Sequence, residues 1–334
     1  MRLIIDGYGK SIRKRDNQIV IKEGKEELNY YLAKNISQIL ILGKGSVTFD
    51  ALDLMSENSI DLISIDWKGK IKYKLSSENQ KNIKLRKEQY YALNDKRSGF
   101  LAKSFIKGKI ENQKAVLTTQ AKSNEDNKYI IQQRDKLIEL LEKLEEIEID
   151  KIDNIRNNIF GVEGRASAEY WNGIKYIISN KIDFKLRSGK NAQDPVNSLL
   201  NYAYAILQSE ILKSINLTGL DSYCGFLHSD KQGRTSLVFD LMEEFRQQIA
   251  DKTVLSLINR KQINIENFSY ENNKIMIDKK AKFLLIRSIM DKLDNDVTFN
   301  DEKTSYAKII EKQARNISLF LTGTKTYAPF YLRW

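Results

Sequence analysis

Only two prolines, Pro195 and Pro329, stand in 334 residues, and from about Ser77 onward little else interrupts long stretches of apolar periodicity at three- and four-residue steps. Proline removes a backbone donor and collides with the preceding helical turn, so its near absence lets helices run until Gly or Asn clusters such as Ser123 to Asn127 stop them. Ile131 to Ile149 carries the pattern, with Leu137, Leu140, Leu141, Leu144 and Ile147 on one face. The earlier residues read differently. Leu3 to Ile5, Ile19 to Ile21, Ile39 to Leu42, Leu62 to Ile65 and Ile71 to Tyr73 are short apolar or alternating runs, punctuated by Gly7, Gly24, Gly43, Gly45 and a turn at Trp67-Lys68-Gly69-Lys70. Phe49 to Glu57 reads as one short helix. The expected fold class is therefore α+β, a small N-terminal β-rich sheet domain over 1–76 followed by a larger all-α C-terminal domain over 77–334. Near the end, Ile263 to Ile277 alternates around Asn272-Asn273 as a hairpin would, and helices follow at Ala281 to Leu293 and Ser305 to Leu321. The aromatic tail Tyr327 to Trp334 matches no pattern.

With 41% hydrophobic residues the chain can build real cores, and its length favours two domains over one. A lone cysteine, Cys224, excludes an internal disulfide and fits a reducing cytoplasm. No signal-peptide pattern opens the sequence and no apolar stretch approaches membrane-spanning length, so no membrane partner is expected.

The formal charge of +11 is unevenly placed. Between Lys68 and Ser123 stand fifteen Lys or Arg against four acids, a difference of eleven, so this strip carries the whole excess. A polyanion suits such a strip because each neutralised phosphate releases counterions. Tyr90, Tyr91, Phe100 and Phe105 interleave with it and could stack on unpaired bases, although at helical spacing such rings also serve as core.

His228 is the one histidine in the chain, and Asp240, Glu243 and Glu244 follow within sixteen residues. On a regular helix these three carboxylates occupy one polar arc opposite Leu237, Val238, Leu241, Met242, Phe245 and Ile249, with Arg246 at its border. Such an arc is either a solvated face or a set of cation ligands. Upstream, Glu163 aligns with Ala166, Ser167, Tyr170 and Ile174, a small and apolar stripe that should pack inward. A carboxylate there requires a compensating charge or hydrogen bonds. Two carboxylates and an imidazole (Glu163, Glu243 and His228) suit Mg²⁺ or Mn²⁺. No Cys/His spacing for zinc and no Walker-type loop occurs.

The segments Phe184 to Leu207, Gly219-Leu220-Asp221 with Gly225-Phe226-Leu227-His228, and Ser236 to Arg246 resemble the CRISPR-associated adaptation integrases. Gly161-Val162-Glu163-Gly164 with Tyr170-Trp171 is similar to that family's first catalytic block. Ile39 to Gly43 and Asn58 to Gly69 look like its sheet domain. The resemblance spans nearly the whole chain, with its motifs in order.

The resemblance implies a metal-dependent DNA endonuclease and integrase that joins 3′-hydroxyl ends of short DNA to CRISPR repeat DNA. It implies Glu163, His228 and Glu243 as ligands of Mg²⁺ or Mn²⁺, Asp240 as a neighbouring acid and Arg246 as a group facing the scissile phosphate. Some members carry Asp where this chain has Glu243. Arg187, Asn197 and Tyr204 are candidates for DNA contact or for supporting the site. Implied partners are duplex DNA, a second copy docked through the N-terminal domain, and a small ferredoxin-like adaptation protein. Two other readings share parts of this evidence: a structure-selective DNA repair nuclease, and a non-catalytic nucleic-acid-binding protein whose acidic arc is solvated.

Overall fold

The computed structural model describes residues 1–66, 71–75, 82–122, 127–189, 192–228, 232–271 and 274–332. The turn at Trp67 to Lys70, the boundary expected at 76/77, the breaker cluster at 123–126, Asn272-Asn273, and the strip residues Lys68, Lys70, Glu78 and Lys81 lie outside them, as do Lys190, Asn191, Arg333 and Trp334. The chain divides into two compact units, Met1–Gln80 and Lys81–Trp334.

In the first unit the five apolar runs become β1 (Arg2–Ile5), β3 (Gln18–Glu23), β5 (Gln38–Ile41), β7 (Asp61–Ile65) and β8 (Ile71–Leu75), and α1 is Phe49–Glu57. Three further strands, β2 (Tyr8–Arg15), β4 (Glu26–Leu32) and β6 (Lys44–Val47), are charged or glycine-bearing and largely exposed, so they carry little apolar signal. One sheet runs β1-β5-β7-β8, parallel except for the edge strand β8. The other runs β4-β3-β2-β6, with β6 parallel to β2. Ile12, Ile19 and Ile21 of the second sheet share a core with Ile39, Ile41 and Leu62 of the first and with Ala51, Leu54 and Met55 of α1. Gly43 is required where the chain enters β6, because a Cβ there would lie 1.7 Å from the carbonyl oxygen of Gly7.

The second unit is mostly helical. Helix α2 (Ile83–Ala92) leads into α3 (Lys96–Lys122), α4 (Lys128–Glu145) and α5 (Ile152–Ile178), and the last three pack on one another. The expected face of α4 is buried at Leu137, Leu140, Leu141 and Leu144, while Ile147 lies beyond the helix end. Helix α6 (Pro195–Thr218) is buried around most of its circumference. It begins where Asp194 accepts the Asn197 N–H at 2.9 Å with Pro195 in the first turn, and ends at Gly219 in the left-handed region, φ 83°.

Helix α7 (Ser236–Met242) then stops one residue short of Glu243. A turn carries Glu243 to Phe245, a π-helical turn spans Arg246–Asp251, and α8 (Lys252–Asn259) resumes regular winding. This overturns the polar arc expected from a continuous helix. Asp240, Glu243 and Glu244 are all buried, and each reaches a different set of partners. The chain finishes with hairpin β9 (Phe268–Glu271) and β10 (Lys274–Ile277), helix α9 (Lys279–Asp294), hairpin β11 (Asp296–Phe299) and β12 (Glu302–Ser305), and α10 (Tyr306–Leu321). Among the described residues no helix is long and apolar enough to cross a membrane.

Candidate active site

Buried Asp240, on α7, organises the loop that carries His228. Its Oδ2 accepts the backbone N–H of Phe226 at 2.6 Å and of Leu227 at 3.0 Å, and its Oδ1 accepts that of His228 at 3.0 Å. The same Oδ1 lies 2.6 Å from His228 Nδ1. A carboxylate already accepting three N–H bonds offers only lone pairs, so Nδ1 carries a proton, and in the neutral imidazole the lone pair is therefore on Nε2. Gly225 permits this approach, since a Cβ there would stand 2.6 Å from Ser236 Cβ and 2.9 Å from Asp240 Oδ2. The His228 ring sits edge-on to Phe160 of α5, at 6.2 Å between centroids, and 6.1 Å from Phe239. Phe160 lies one turn before Glu163, so the imidazole neighbours the turn of α5 that bears that carboxylate.

Glu163 and Glu243 converge on one cation. Lys109 Nζ, from α3, pairs with Glu163 Oε1 and lies 2.9 Å from Glu243 Oε2. Ser167 donates its hydroxyl to Glu163 Oε1 at 2.9 Å, so the inward stripe of α5 supplies part of the compensation that a half-buried carboxylate requires. Arg246 Nη2 lies 3.1 Å from Glu243 Oε1. Burial alone would raise the Glu243 pKa, but Arg246, Lys109 and His228 reverse that and hold it at about 2.

Behind this centre lies a second buried cluster. Arg246 stacks over the Tyr204 ring at 4.7 Å, and Arg187 over the same ring at 5.1 Å. The Tyr204 hydroxyl donates to Asp251 Oδ1 at 2.6 Å, and Tyr170 donates to Oδ2 at 2.9 Å. Burial pushes the Asp251 carboxyl up to about 6 despite both donors. Asn197 is fully buried, accepting from Arg187 Nη1 at 2.7 Å and donating to the Leu186 carbonyl at 2.8 Å. Arg187 also donates to Asn201 Oδ1 at 2.9 Å. Of the three DNA-contact candidates, only Arg187 is partly exposed.

Glu244 points away from Glu243. It accepts from the Tyr327 hydroxyl at 2.6 Å, the Phe330 N–H at 2.7 Å and Gln313 Nε2 at 3.0 Å, and burial nevertheless lifts its pKa to about 8. Phe330 stacks on Phe245 at 4.8 Å. The undeciphered tail is thus a strap over the Glu243–Phe245 turn.

The basic strip is partly neutralised by the fold. Lys103 and Lys107 both pair with Glu145, at 3.3 and 2.5 Å. Arg97 pairs with Asp95 and Glu88, Lys114 with Glu111, and in the first unit Lys74 with Asp61. Phe105 is core and Phe100 stacks on Phe320 at 5.0 Å, whereas Tyr90 and Tyr91 are exposed. Exposed cations remain at Lys84, Lys87, Lys96 and Lys122, and in the first unit at Lys72.

Among the described residues no three His, Cys, Asp or Glu side chains stand close enough together to enclose a metal ion. The donor chemistry nevertheless fits a hard divalent cation, because two carboxylates already share one cationic partner beside an imidazole whose Nδ1 is committed to Asp240. Lys109 was not singled out from the sequence, where it reads as one more charge in the strip. The one signal of its inward position in the sequence is the apolar pair Phe105 and Ile106 one turn earlier; polar Asn112 and Gln113 one turn later are buried as well.

Paired carboxylates, an oriented imidazole, a buried lysine and a partly buried arginine are groups that act on phosphodiesters. The family model for CRISPR associated protein Cas1 matches residues 3–290. CRISPR-associated protein Cas1 3 of Methanobrevibacter ruminantium is 44% identical over the full length of both chains. A CRISPR-associated endonuclease Cas1 of Archaeoglobus fulgidus is 37% identical, again over all of both. Among solved structures, a casposase bound to integration product superposes with a TM-score of 0.85 at 25% identity, covering 98% of this chain and 92% of that one. The chain belongs to the CRISPR adaptation family Cas1.

Proposed function

We propose that the chain is a divalent-metal-dependent DNA endonuclease and integrase of CRISPR adaptation, joining the 3′-hydroxyl end of short duplex DNA to CRISPR repeat DNA by transesterification. The observation that carries this is the convergence of Glu163 and Glu243 on one cation beside the oriented imidazole of His228. The endonuclease name of the Archaeoglobus relative and the integration product held by the casposase support the same chemistry.

Glu163, Glu243 and His228 Nε2 would hold Mg²⁺ or Mn²⁺. When bound, such an ion neutralises charge on the phosphate oxygens and favours the deprotonated attacking hydroxyl. Asp240 keeps the imidazole in the tautomer that presents Nε2. A single lone pair cannot hold a metal and accept a proton together, so His228 acts here as a ligand. In this reading Arg246 meets the scissile phosphate and Arg187 is a second phosphate contact, a role supported by the stacking of Arg246 on Tyr204 and its pairing with Glu243. Asn197 and Tyr204 support these arginines from inside.

The proposed partners are 3′-hydroxyl duplex DNA, repeat DNA, a second copy of this chain docked through its N-terminal unit, and a small ferredoxin-like adaptation protein. The test incubates the protein and that small partner with 3′-hydroxyl duplex DNA and a supercoiled repeat-bearing target, with Mn²⁺ or EDTA. Joined product with Mn²⁺ alone is expected. Cutting without joining would instead indicate a repair nuclease, and joining in EDTA would overturn metal dependence.

A further inference from the structure

Lys109 occupies a position where a lysine is costly unless something is gained. Phe105 and Ile106 precede it by one turn of α3, Asn112 and Gln113 follow by one turn, and all are buried. Its ammonium sits between two carboxylates, paired with Glu163 Oε1 and 2.9 Å from Glu243 Oε2. Without that ammonium, two carboxylates from different elements would approach each other inside the protein, with Arg246 on the other oxygen of Glu243.

Resting on the metal-site reading above, we propose that Lys109 is the internal counter-cation of the site: its ammonium binds the Glu163 and Glu243 oxygens that a divalent metal needs, so metal entry requires Lys109 to leave. The lysine keeps the carboxylates together before metal arrives and competes with metal for them. Apparent metal affinity is reduced by the fraction of molecules in the Lys109-closed form, and a nine-to-one preference for that form weakens it about tenfold.

The test titrates Mn²⁺ into metal-free wild type, Lys109→Met, Lys109→Gln and, as a control, Lys107→Met, by calorimetry. Both Lys109 variants should bind Mn²⁺ about tenfold more tightly than wild type, and Lys107→Met should match wild type. In EDTA the Lys109 variants should unfold at a lower temperature, and Mn²⁺ should raise that temperature more than it does for wild type. Equal or weaker Mn²⁺ binding by folded Lys109 variants would overturn the proposal while leaving the metal site itself intact. Wild type that binds no Mn²⁺ would remove the metal site and the proposal together. If the variants do not fold, the reactivity of Lys109 in wild type decides. Acetylation of Lys109, followed by mass spectrometry, should be slow in EDTA and several-fold faster with saturating Mg²⁺, and unchanged protection would contradict the proposal.

Discussion

His228 Nδ1 and Asp240 Oδ1 lie 2.6 Å apart, and the Asp240 carboxylate also accepts the backbone N–H groups of Phe226, Leu227 and His228. One buried side chain therefore sets both the fold of the loop and the tautomer of the imidazole. Asp240→Asn keeps the shape but turns one acceptor oxygen into a donor facing N–H groups. Urea unfolding should show a loss of about 2–3 kcal/mol, and nicking by the folded fraction should fall about 10–100-fold. Unchanged nicking would mean that the Asp240 contact does not orient the imidazole.

Gly225 makes that contact possible. Gly225→Ala would bring a methyl group to within 2.6 Å of Ser236 Cβ, so the loop or α7 must shift. The expected cost is about 1–3 kcal/mol by denaturant unfolding, accompanied by lost activity. A fully active, equally stable variant would contradict the packing described.

Glu244 titrates against stability in a definite direction. Its folded pKa is raised from 4.5 to about 8, so the folded state holds the proton more tightly than the unfolded chain. The stabilisation is complete below the unfolded value and is lost as pH rises through about 8. Glu244→Gln removes this dependence. Relative to that variant, wild type should lose about 2–3 kcal/mol between pH 6 and pH 9, measured by urea unfolding at each pH. Parallel pH profiles for the two proteins would contradict the assignment.

Much of the fold was legible in the sequence, and the reason is physical. β1, α1 and α4 declare themselves because one face of each is buried, β5 and β7 because they are buried throughout and read as continuous apolar runs, and β8 by the apolar residues Ile71, Tyr73 and Leu75 alternating with Lys72 and Lys74 although none of them is buried. Strands β2, β4 and β6 pair by backbone groups with mostly exposed side chains, which leaves no periodicity to read. For the site, the inward stripe of α5 exposed the anomaly of Glu163, and that anomaly is met by Lys109 and Ser167. Asp240, Glu243 and Glu244 do not form the single polar arc expected of a regular helix because α7 ends at Met242 and a π-helical turn follows, a change of winding that spacing cannot reveal. Lys109 was hidden by its charge among other lysines, and Asp251 by its distance in sequence from Tyr170 and Tyr204.

Tyr204 separates support from DNA contact. Its hydroxyl is committed to Asp251 while its ring carries Arg187 and Arg246. Tyr204→Phe should cost about 1–2 kcal/mol of stability through the lost hydrogen bond and leave duplex affinity within about twofold of wild type, well under a kcal/mol. A tenfold loss of affinity in a folded variant would make the hydroxyl a DNA contact.

The exposed cations should bear more of the DNA affinity than the paired ones. Neutralising Lys84, Lys87 and Lys96 together should weaken duplex binding and reduce the slope of log K against log salt by about one for each phosphate contact removed. Neutralising Lys103 and Lys107, which Glu145 already engages, should change that slope less. The reverse ranking would move the duplex track.

The most direct test of the central claim is the rate at which Glu163→Ala joins 3′-hydroxyl DNA to a repeat-bearing target in Mn²⁺, compared with wild type, once circular dichroism and DNA binding show the variant folded and bound. The account predicts joining reduced below detection with DNA binding retained. Joining at the wild-type rate would contradict it, because Glu163 would then hold nothing that the reaction needs.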